Sequence, residues 1–295
     1  MRKNIIRPCP ICGNHQLKLN IEHVTLYCKQ EFKYLKCNRC NSVYVDPVPN
    51  DEILPKIYNK ETYHDSHYLP DCQNLYIDSI QYLFDYIESK STILDYGCGH
   101  GHFIKEAQDQ GLIATGVEYG SDIATAAKEY SGCKVFSLQE WENSELVKYD
   151  VVHLGDVLEH LTEPHDTLEM LLKHINNNGI LFIEGPLERN ISVVFIASTI
   201  FRHVKKFFRF NNKYVKIPPT HLFIVGEKQQ LMFFNKYSNN ISLLKWSIYE
   251  DGWPYKQGGV VKRIIAYVAI FFSGKKFFGA TFGNRFYAVF KVNNN

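Results

Sequence analysis

The sequence predicts an α/β protein: a mostly parallel sheet of seven strands with helices on both faces, preceded by a small cysteine-rich module. Two observations support this fold class. From Ser91 onward, short apolar runs alternate with helical stretches, which is the pattern of parallel strands joined by crossover helices. Before that point, two closely spaced cysteine pairs lie near the start of the chain, outside any such alternation. We therefore expect one large domain and one accessory module.

The composition is that of a globular protein. The chain has 295 residues, of which 45% are hydrophobic and 22% charged, and its formal net charge is +2. A charge this close to balance does not predict a nucleic-acid partner. The first residues lack the apolar core of a secretion signal, and the longest apolar runs, 191–201 and 264–272, are well short of the roughly 20 residues that cross a bilayer as a helix. We expect a cytoplasmic protein with reduced thiols.

The N-terminal cysteines form two CxxC pairs separated by 24 residues. Thiolates are soft anionic donors, and two such pairs supply the tetrahedral set that zinc prefers. Four protein ligands leave no open position, so we expect a structural zinc ion in a zinc-ribbon module over residues 1–50. A redox dithiol or a chance pairing is the alternative. The predicted ligands are Cys9, Cys12, Cys37 and Cys40.

The predicted main domain covers residues 92–295, after a helical linker or N-terminal lid at 51–91. Its strands are expected at Thr92–Tyr96, Leu112–Glu118, Val135–Phe136, Tyr149–Leu154, Gly179–Glu184, Ile241–Tyr249 and Arg285–Val292. One helix is expected to continue through Gln110 and another to span Leu161–Ile175. A second lid is expected as an insertion at about 187–222.

A glycine-rich turn follows the first of these strands. Its glycines would bring the backbone close to a ligand at the start of a helix. Asp95 stands at the strand end, where a carboxylate would repel a pyrophosphate and suit a ligand with a cationic amino-acid end. The second strand ends in Glu118, an acid that can accept both hydroxyls of a ribose. This pattern disfavours a nicotinamide dehydrogenase, which more typically shows GxGxxG.

These residues resemble the motifs of class I S-adenosylmethionine-dependent methyltransferases. The segment 93–101 is similar to the first motif of that family, and 116–118 to the end of its second strand. The segment 150–161, with the Pro and Gly positions that follow it, resembles the family's DVLEH stretch. Cys37 to Pro49 looks like the zinc-binding segment that precedes the domain in a subset of the family. The resemblance covers roughly 92–186.

The resemblance implies a Rossmann-like fold, S-adenosylmethionine as cofactor and a set of site residues. In that family pattern, Asp95, Gly97, Gly99 and Gly101 shape the site of the methionine moiety and Glu118 holds the ribose. Leu138, Gln139 and Glu140 would lie beside the adenine, and Gly155 and Asp156 at the carboxyl edge of the fourth strand. The structural alternative for these residues is turn chemistry and a solvated strand end.

Methyl transfer requires an aligned nucleophile and, where needed, a base that removes its proton. His160, expected at the start of a helix after the fourth strand, and His221 are the candidate bases. A local hydrogen bond is the alternative for each. His64 and His67 are candidates to line a lid, with a solvated loop as the alternative.

Two basic segments rich in aromatic residues, 189–216 and 260–278, follow the core. Ordinary packing as part of a lid is one interpretation. Contact with an anionic membrane or a phosphate-bearing substrate is the other. We predict no nucleic acid as a partner and make no prediction of the oligomeric state.

The leading functional hypothesis is a methyltransferase acting on a small molecule, with a nucleotide-linked sugar or a glycan intermediate as a candidate acceptor. The alternatives are a zinc-ribbon nucleic-acid-binding protein, an RNA- or DNA-modifying methyltransferase, and a catalytically silent Rossmann module. The acceptor atom stays open between oxygen, nitrogen and carbon.

Overall fold

The computed structural model describes residues 6–16, 18–58, 76–207, 217–277 and 279–293. Its strands are β1 (Ile21–Tyr27), β2 (Gln30–Lys36), β3 (Val43–Asp46), β4 (Thr92–Tyr96), β5 (Ile113–Glu118), β6 (Lys134–Ser137), β7 (Tyr149–Gly155), β8 (Ile175–Pro186), β9 (Phe223–Ile224), β10 (Ile241–Tyr249), β11 (Lys276–Phe277), β12 (Ala280–Thr281) and β13 (Arg285–Val292). Its α-helices are α1 (Leu54–Ile57), α2 (Ile77–Leu83), α3 (His102–Asp109), α4 (Ser121–Ser131), α5 (Leu138–Glu142), α6 (Pro164–Lys173), α7 (Val193–Phe207), α8 (Glu227–Asn235) and α9 (Val260–Phe271).

Seven strands form one sheet in the order β10-β13-β8-β7-β4-β5-β6. Strand β4 pairs in parallel with both β5 and β7, and β5 pairs in parallel with β6. The non-sequential order arises because each parallel step needs a crossover connection. The predicted α/β fold class is confirmed, and the bounds of β4, β10 and β13 are those expected from the sequence.

The central strands are buried because crossover helices cover both faces of a parallel sheet. Residues 93–96 of β4 and 114–118 of β5 are all buried. Asp150 on β7 ties neighbouring strands together, since its Oδ2 accepts from the backbone N and the hydroxyl of Thr92, each at 2.8 Å, and its Oδ1 accepts from Asn176 Nδ2 at 2.8 Å. Burial raises the pKa of Asp150, but these hydrogen bonds outweigh it and leave the pKa below its ordinary value.

The segment between β7 and β8 differs from the prediction. The helix expected over 161–175 begins at Pro164, where a proline fits the first helical position, and ends at Lys173. His160 therefore does not start a helix and lies instead in a 3₁₀ turn at Leu158–His160. Strand β8 begins at Ile175 and not at Gly179, because Asn178 takes a left-handed conformation (φ +61°) inside the strand without ending it.

The chain divides into two compact units. One comprises 49–183, 239–245 and 288–295, and the other 1–48, 184–238 and 246–287. The second unit contains a four-stranded sheet in the order β1-β2-β3-β9. Strands β1 and β2 form a hairpin whose two turn residues, Cys28 and Lys29, both have positive φ, as a tight hairpin turn requires. The strand from 223–224 completes this sheet, so the predicted cysteine module pairs with a segment far along the chain.

Helices α7 and α9 pack against each other within the same unit. Helix α7 lies in the predicted insertion at 187–222, but residues 208–216 of that insertion are outside the described residues. His64 and His67 are also outside them. Within the described residues, no helix is both long and apolar enough to cross a membrane.

Candidate functional site

A cavity of about 400 Å³ opens at the carboxyl ends of β4, β5 and β7. Parallel sheets place their ligands at this edge, and the volume lies within the range of small-molecule sites. The strand ends supply Tyr96, Gly97, Glu118, Gly155 and Asp156 to its lining. The fold thus brings together predicted cofactor residues that lie at the ends of three separate strands.

The glycine turn after β4 is shaped by close packing. Gly97 has φ +84°, and a Cβ there would come within 2.5 Å of Val157 Cγ2. Gly101 has φ +83° and begins helix α3, where a Cβ would lie 2.9 Å from the carbonyl oxygen of Ala127 on α4. Both positions require glycine for conformation and for space. Among the described residues that line the cavity, Gly97 and Gly99 are present and Gly101 is absent, so Gly101 acts by packing α3 against α4.

Glu118 is the buried acid at the end of β5. Its Oε2 accepts from the backbone N of Gly99 and its Oε1 from the backbone N of Tyr119, both at 2.7 Å. Burial raises the pKa of Glu118 above its ordinary value, and these two hydrogen bonds only partly oppose that effect. The carboxylate thereby fixes the glycine turn and keeps lone pairs directed at the cavity, which it lines.

Asp95 lines a smaller adjacent cavity together with Cys98, His100 and Gly155. His153 Nδ1 donates to Asp95 Oδ1 at 2.8 Å, and both side chains are buried. The imidazole of His153 also stacks on Phe103, with ring centroids 3.7 Å apart. The sequence does not predict this buried pair, because the position of His153 beside Asp95 depends on the register of β7 against β4.

The predicted adenine residues divide into two groups. Leu138 lines the large cavity, whereas Gln139 and Glu140 are not among its described lining residues. Glu140 forms a capping box at the start of α5, where its carboxylate accepts from the N and the hydroxyl of Ser137, each at 2.8 Å. These hydrogen bonds hold the pKa of Glu140 below its ordinary value. The acid that lines the cavity from this helix is Glu142.

The loop after β7 contributes the remaining predicted residues. Gly155 and Asp156 line the cavity, and Asp156 has φ +53°, a conformation that costs free energy for a residue with a side chain and occurs often at functional sites. His160 lines the cavity as well. Its ring meets that of Tyr58 edge-on with centroids 5.4 Å apart, and its Nε2 lies 3.9 Å from Glu159 Oε1.

The other predicted base, His221, belongs to the second unit of the chain. Its Nδ1 donates to Glu188 Oε2 at 3.0 Å, and both side chains are about one-third exposed. A carboxylate that accepts from one ring nitrogen fixes the imidazole tautomer.

The four predicted ligand cysteines converge in that second unit. Their sulfur atoms all lie within 4.8 Å of one another, and Cys9, Cys37 and Cys40 are buried. The Sγ atoms are 3.7 Å apart for Cys9 and Cys40, and 3.6 Å apart for Cys12 and Cys37. Tetrahedral zinc with Zn–S bonds of about 2.3 Å requires sulfur atoms roughly 3.8 Å apart, far beyond the length of a disulfide. The donor set therefore fits zinc.

Backbone hydrogen bonds shape both cysteine turns. The N of Gly13 donates to the carbonyl of Cys9 at 2.8 Å, and the N of Asn41 donates to that of Cys37 at 3.0 Å. Gly13 and Asn41 both have positive φ, which glycine and asparagine tolerate best. The hydrogen bond between the two thiols lowers the pKa of Cys40 and raises that of Cys9, so the thiolate is favoured at Cys40.

Comparisons with known proteins agree with this geometry. Residues 67–224 match the family model described as a methyltransferase domain. The ubiquinone biosynthesis O-methyltransferase of Hydrogenovibrio crunogenus is 26% identical over 144 residues, which cover 45% of this chain and 59% of that protein. The protein of the same name from Rickettsia prowazekii is 27% identical over 188 residues, covering 58% of this chain and 74% of that protein.

A solved structure shows the fold independently. An S-adenosylmethionine-dependent methyltransferase from Methanosarcina mazei aligns with a TM-score of 0.50 and 11% identity, covering 72% of this chain and 98% of that one. The family model itself spans more than half of the chain. This chain therefore belongs to the methyltransferase-domain family, and it shares the fold of an S-adenosylmethionine-dependent methyltransferase.

Proposed function

We propose that this enzyme transfers the methyl group to a hydroxyl oxygen of a small, largely apolar acceptor. The observation that carries the proposal is that Glu118, suited to the cofactor ribose, and His160, suited to take a proton, line the same cavity. Leu54, Val157 and Met170 add apolar surface to its lining. A hydrophobic site with a few convergent polar groups is typical of small-molecule enzymes.

The cofactor site is assigned by charge. Bound S-adenosylmethionine supplies a methyl group activated by a sulfonium, and its amino-acid end carries an ammonium. Asp95, held by His153, is the acid we assign to that end, and Glu118 the acid for the ribose hydroxyls. Two buried carboxylates beside the glycine turn would repel a pyrophosphate, which argues against a dinucleotide.

The proton of the acceptor hydroxyl needs a base. We assign His160, because it lines the cavity and Glu159 lies beside its Nε2. A carboxylate next to an imidazole stabilises the imidazolium that forms when the proton moves from the acceptor to the ring. Once His160 holds that proton, the oxygen would be the nucleophile for in-line attack on the methyl carbon, and the carbon–sulfur bond of the sulfonium would break to leave a neutral thioether.

We infer the chemical class of the acceptor from the names of the relatives together with the side chains that line the cavity. Both relatives described above are named as O-methyltransferases of ubiquinone biosynthesis, which favours transfer to oxygen. The sugar or glycan acceptor expected from the sequence has no counterpart in them, and we do not retain it. The nucleic-acid alternatives are not favoured either, since these relatives are named for the biosynthesis of a small molecule.

For the cysteine cluster we propose one structural zinc ion held by Cys9, Cys12, Cys37 and Cys40. The sulfur spacing and the knuckle hydrogen bonds support it. We keep the predicted division into a module at 1–50, a linker at 51–91 and a main domain with an insertion at 187–222 as part of this proposal.

Two measurements test the proposed function. Calorimetry of the zinc-loaded protein should show micromolar binding of S-adenosylmethionine and none of NAD, with binding lost in Glu118→Ala. Asp109→Ala, which alters an exposed residue, serves as the control and should still bind S-adenosylmethionine. Absence of donor binding to folded wild-type protein would overturn the cofactor assignment.

The second measurement follows a labelled methyl group into apolar phenols, catechols and nucleotide sugars. We expect transfer to the phenolic compounds. His160→Gln should lower kcat about 100-fold and leave donor affinity unchanged, because loss of a general base typically costs 10²-fold or more. His174→Gln, a histidine outside the described lining of the cavity, is the matched control. Transfer to sugars alone, or full activity of His160→Gln, would contradict the proposal.

A further inference from the structure

Helix α9 leaves an apolar face uncovered. Val260, Val261 and Phe271 are 74%, 71% and 68% exposed, and Ile264 lies between them on the same side of the helix. Positions 260, 264, 267, 268 and 271 recur at helical spacing, so they form one continuous stripe. Single exposed apolar residues are common in soluble proteins, whereas a contiguous stripe marks an interaction surface.

Its packing partner α7 repeats the pattern. Ile196, Ile200, Phe201 and Val204 are all exposed, and Phe201 is 66% exposed. Their spacing of four, five and eight residues from Ile196 again places them on one side of a helix. Because α7 and α9 pack against each other within one unit, the two stripes belong to neighbouring helices. We call the two stripes together the α7–α9 face.

The charge of the same segments is one-sided. Residues 189–226 and 252–295 together hold 14 of the 33 lysines and arginines of the chain and none of its 31 acids. A chain with a net charge of only +2 is thus strongly basic in these two segments and acidic elsewhere.

One of these cations contacts the apolar stripe itself. Lys275 Nζ is 3.7 Å from the centroid of the Phe271 ring, and Arg263 and Lys276 are exposed. Trp253, which precedes α9 in the same unit, is 56% exposed. Apolar side chains flanked by cations and an amphipathic aromatic ring match the interface between lipid headgroups and acyl chains.

We propose that the α7–α9 face docks the enzyme on an anionic lipid surface. Helix α9 has 12 residues and α7 has 15, fewer than the roughly 20 needed to span, so both would lie in the plane of the interface. A second copy of the chain is a poorer occupant, because a two-fold contact would oppose two basic faces that lack acids. A nucleic acid would leave the apolar stripes without a partner.

Sedimentation with vesicles tests this proposal on the whole 295-residue chain in its zinc-loaded form. We expect binding to phosphatidylglycerol vesicles, weakening with salt, and little binding to pure phosphatidylcholine. We expect no binding to these vesicles from the triple variant Phe201→Glu/Ile264→Glu/Phe271→Glu. Lys275→Glu/Lys276→Glu should reduce the partition coefficient at least about 25-fold, since each cation near an anionic surface contributes roughly fivefold.

A matched control separates docking from general surface change. Leu146→Glu/Val147→Glu alters two exposed apolar residues of the other unit and should bind vesicles like the wild type. Donor affinity and thermal unfolding should stay unchanged in all three variants, because the altered side chains are exposed and outside the cofactor cavity. Equal binding to both lipids, no binding to either, or a dimer that the α7–α9 substitutions dissociate in sedimentation velocity would overturn the proposal.

Discussion

The cofactor cavity and the cysteine cluster hold their acidic groups by different means. Backbone N–H groups bind the carboxylate of Glu118 in the large cavity, and His153 binds Asp95 in the smaller adjacent cavity, so the protein itself provides partners for both acids. In the cluster, the four sulfur atoms have mainly one another and Ser42 as neighbours. The two acids beside the glycine turn therefore have partners from the protein itself, whereas the proposed zinc ion would neutralise the thiolates of the cluster.

The largest expected effect comes from breaking the cluster. Cys37→Ser should remove the zinc and lower the unfolding temperature by more than about 10 °C, because structural zinc contributes many kcal/mol to folding. The exposed Cys28→Ser, in the β1–β2 turn, should change neither quantity. Metal analysis and calorimetric melting measure both. One zinc per chain retained in Cys37→Ser would refute the assignment.

The next effect concerns the preorganised turn of the cavity. Gly97→Ala should weaken donor binding at least about 100-fold, since its Cβ would collide with Val157 and φ is positive. Gly111→Ala has the same positive φ but open space around the new Cβ. It should cost only about 1 kcal/mol of stability and leave affinity intact. Equal affinity losses in the two variants would mean that close packing is not what shapes the site.

A smaller effect is expected from the titration of Glu118. Burial raises the pKa of Glu118, so its carboxyl group is protonated at a higher pH than a glutamic acid with the ordinary pKa of 4.5. The ionised form accepts hydrogen bonds more strongly than the protonated form, so donor affinity should fall as the pH is lowered toward that raised pKa. Glu118→Gln should bind about tenfold more weakly at pH 8 and lack this pH dependence.

Titration calorimetry between pH 8 and pH 5 measures that profile. Glu142→Gln, which alters another acid of the cavity lining, should keep the wild-type profile. If the Glu118→Gln profile still falls with decreasing pH, another group is responsible.

The smallest expected effect is a pH dependence of folding stability that arises from Glu250 in the second unit. Burial raises the pKa of Glu250 to about 7, against a hydrogen bond that Oε1 accepts from Gly252 N. A carboxyl whose folded pKa exceeds its unfolded value destabilises the fold when ionised, so stability should fall as pH rises from about 4.5 to above 7. Glu250→Gln should gain about 1–2 kcal/mol over wild type at pH 8 and nothing at pH 4.5. Denaturant unfolding at the two pH values measures this difference.

How much could be predicted from the sequence differs between the two regions. The two adjacent cavities are built mostly from 92–161, where each strand is followed at once by its turn, so Asp95, Glu118 and Asp156 could be identified from local pattern. Leu54 and Met170 could not, because they reach the cavity from elements without a motif. Glu140 was predicted beside the adenine, although the Ser137-x-x-Glu140 spacing is also that of a capping box.

The sequence by itself determined the sheet class, the glycine turn, the acids at the strand ends and the four cysteines, because each depends on spacing within a few residues. Tertiary structure alone decided that His153 lies under Asp95, that 223–224 completes the ribbon sheet, and that one side of α9 stays uncovered. The physical reason is that periodicity shows which residues share a face of an element. Which distant segment covers that face, or whether any does, is fixed only when the chain packs.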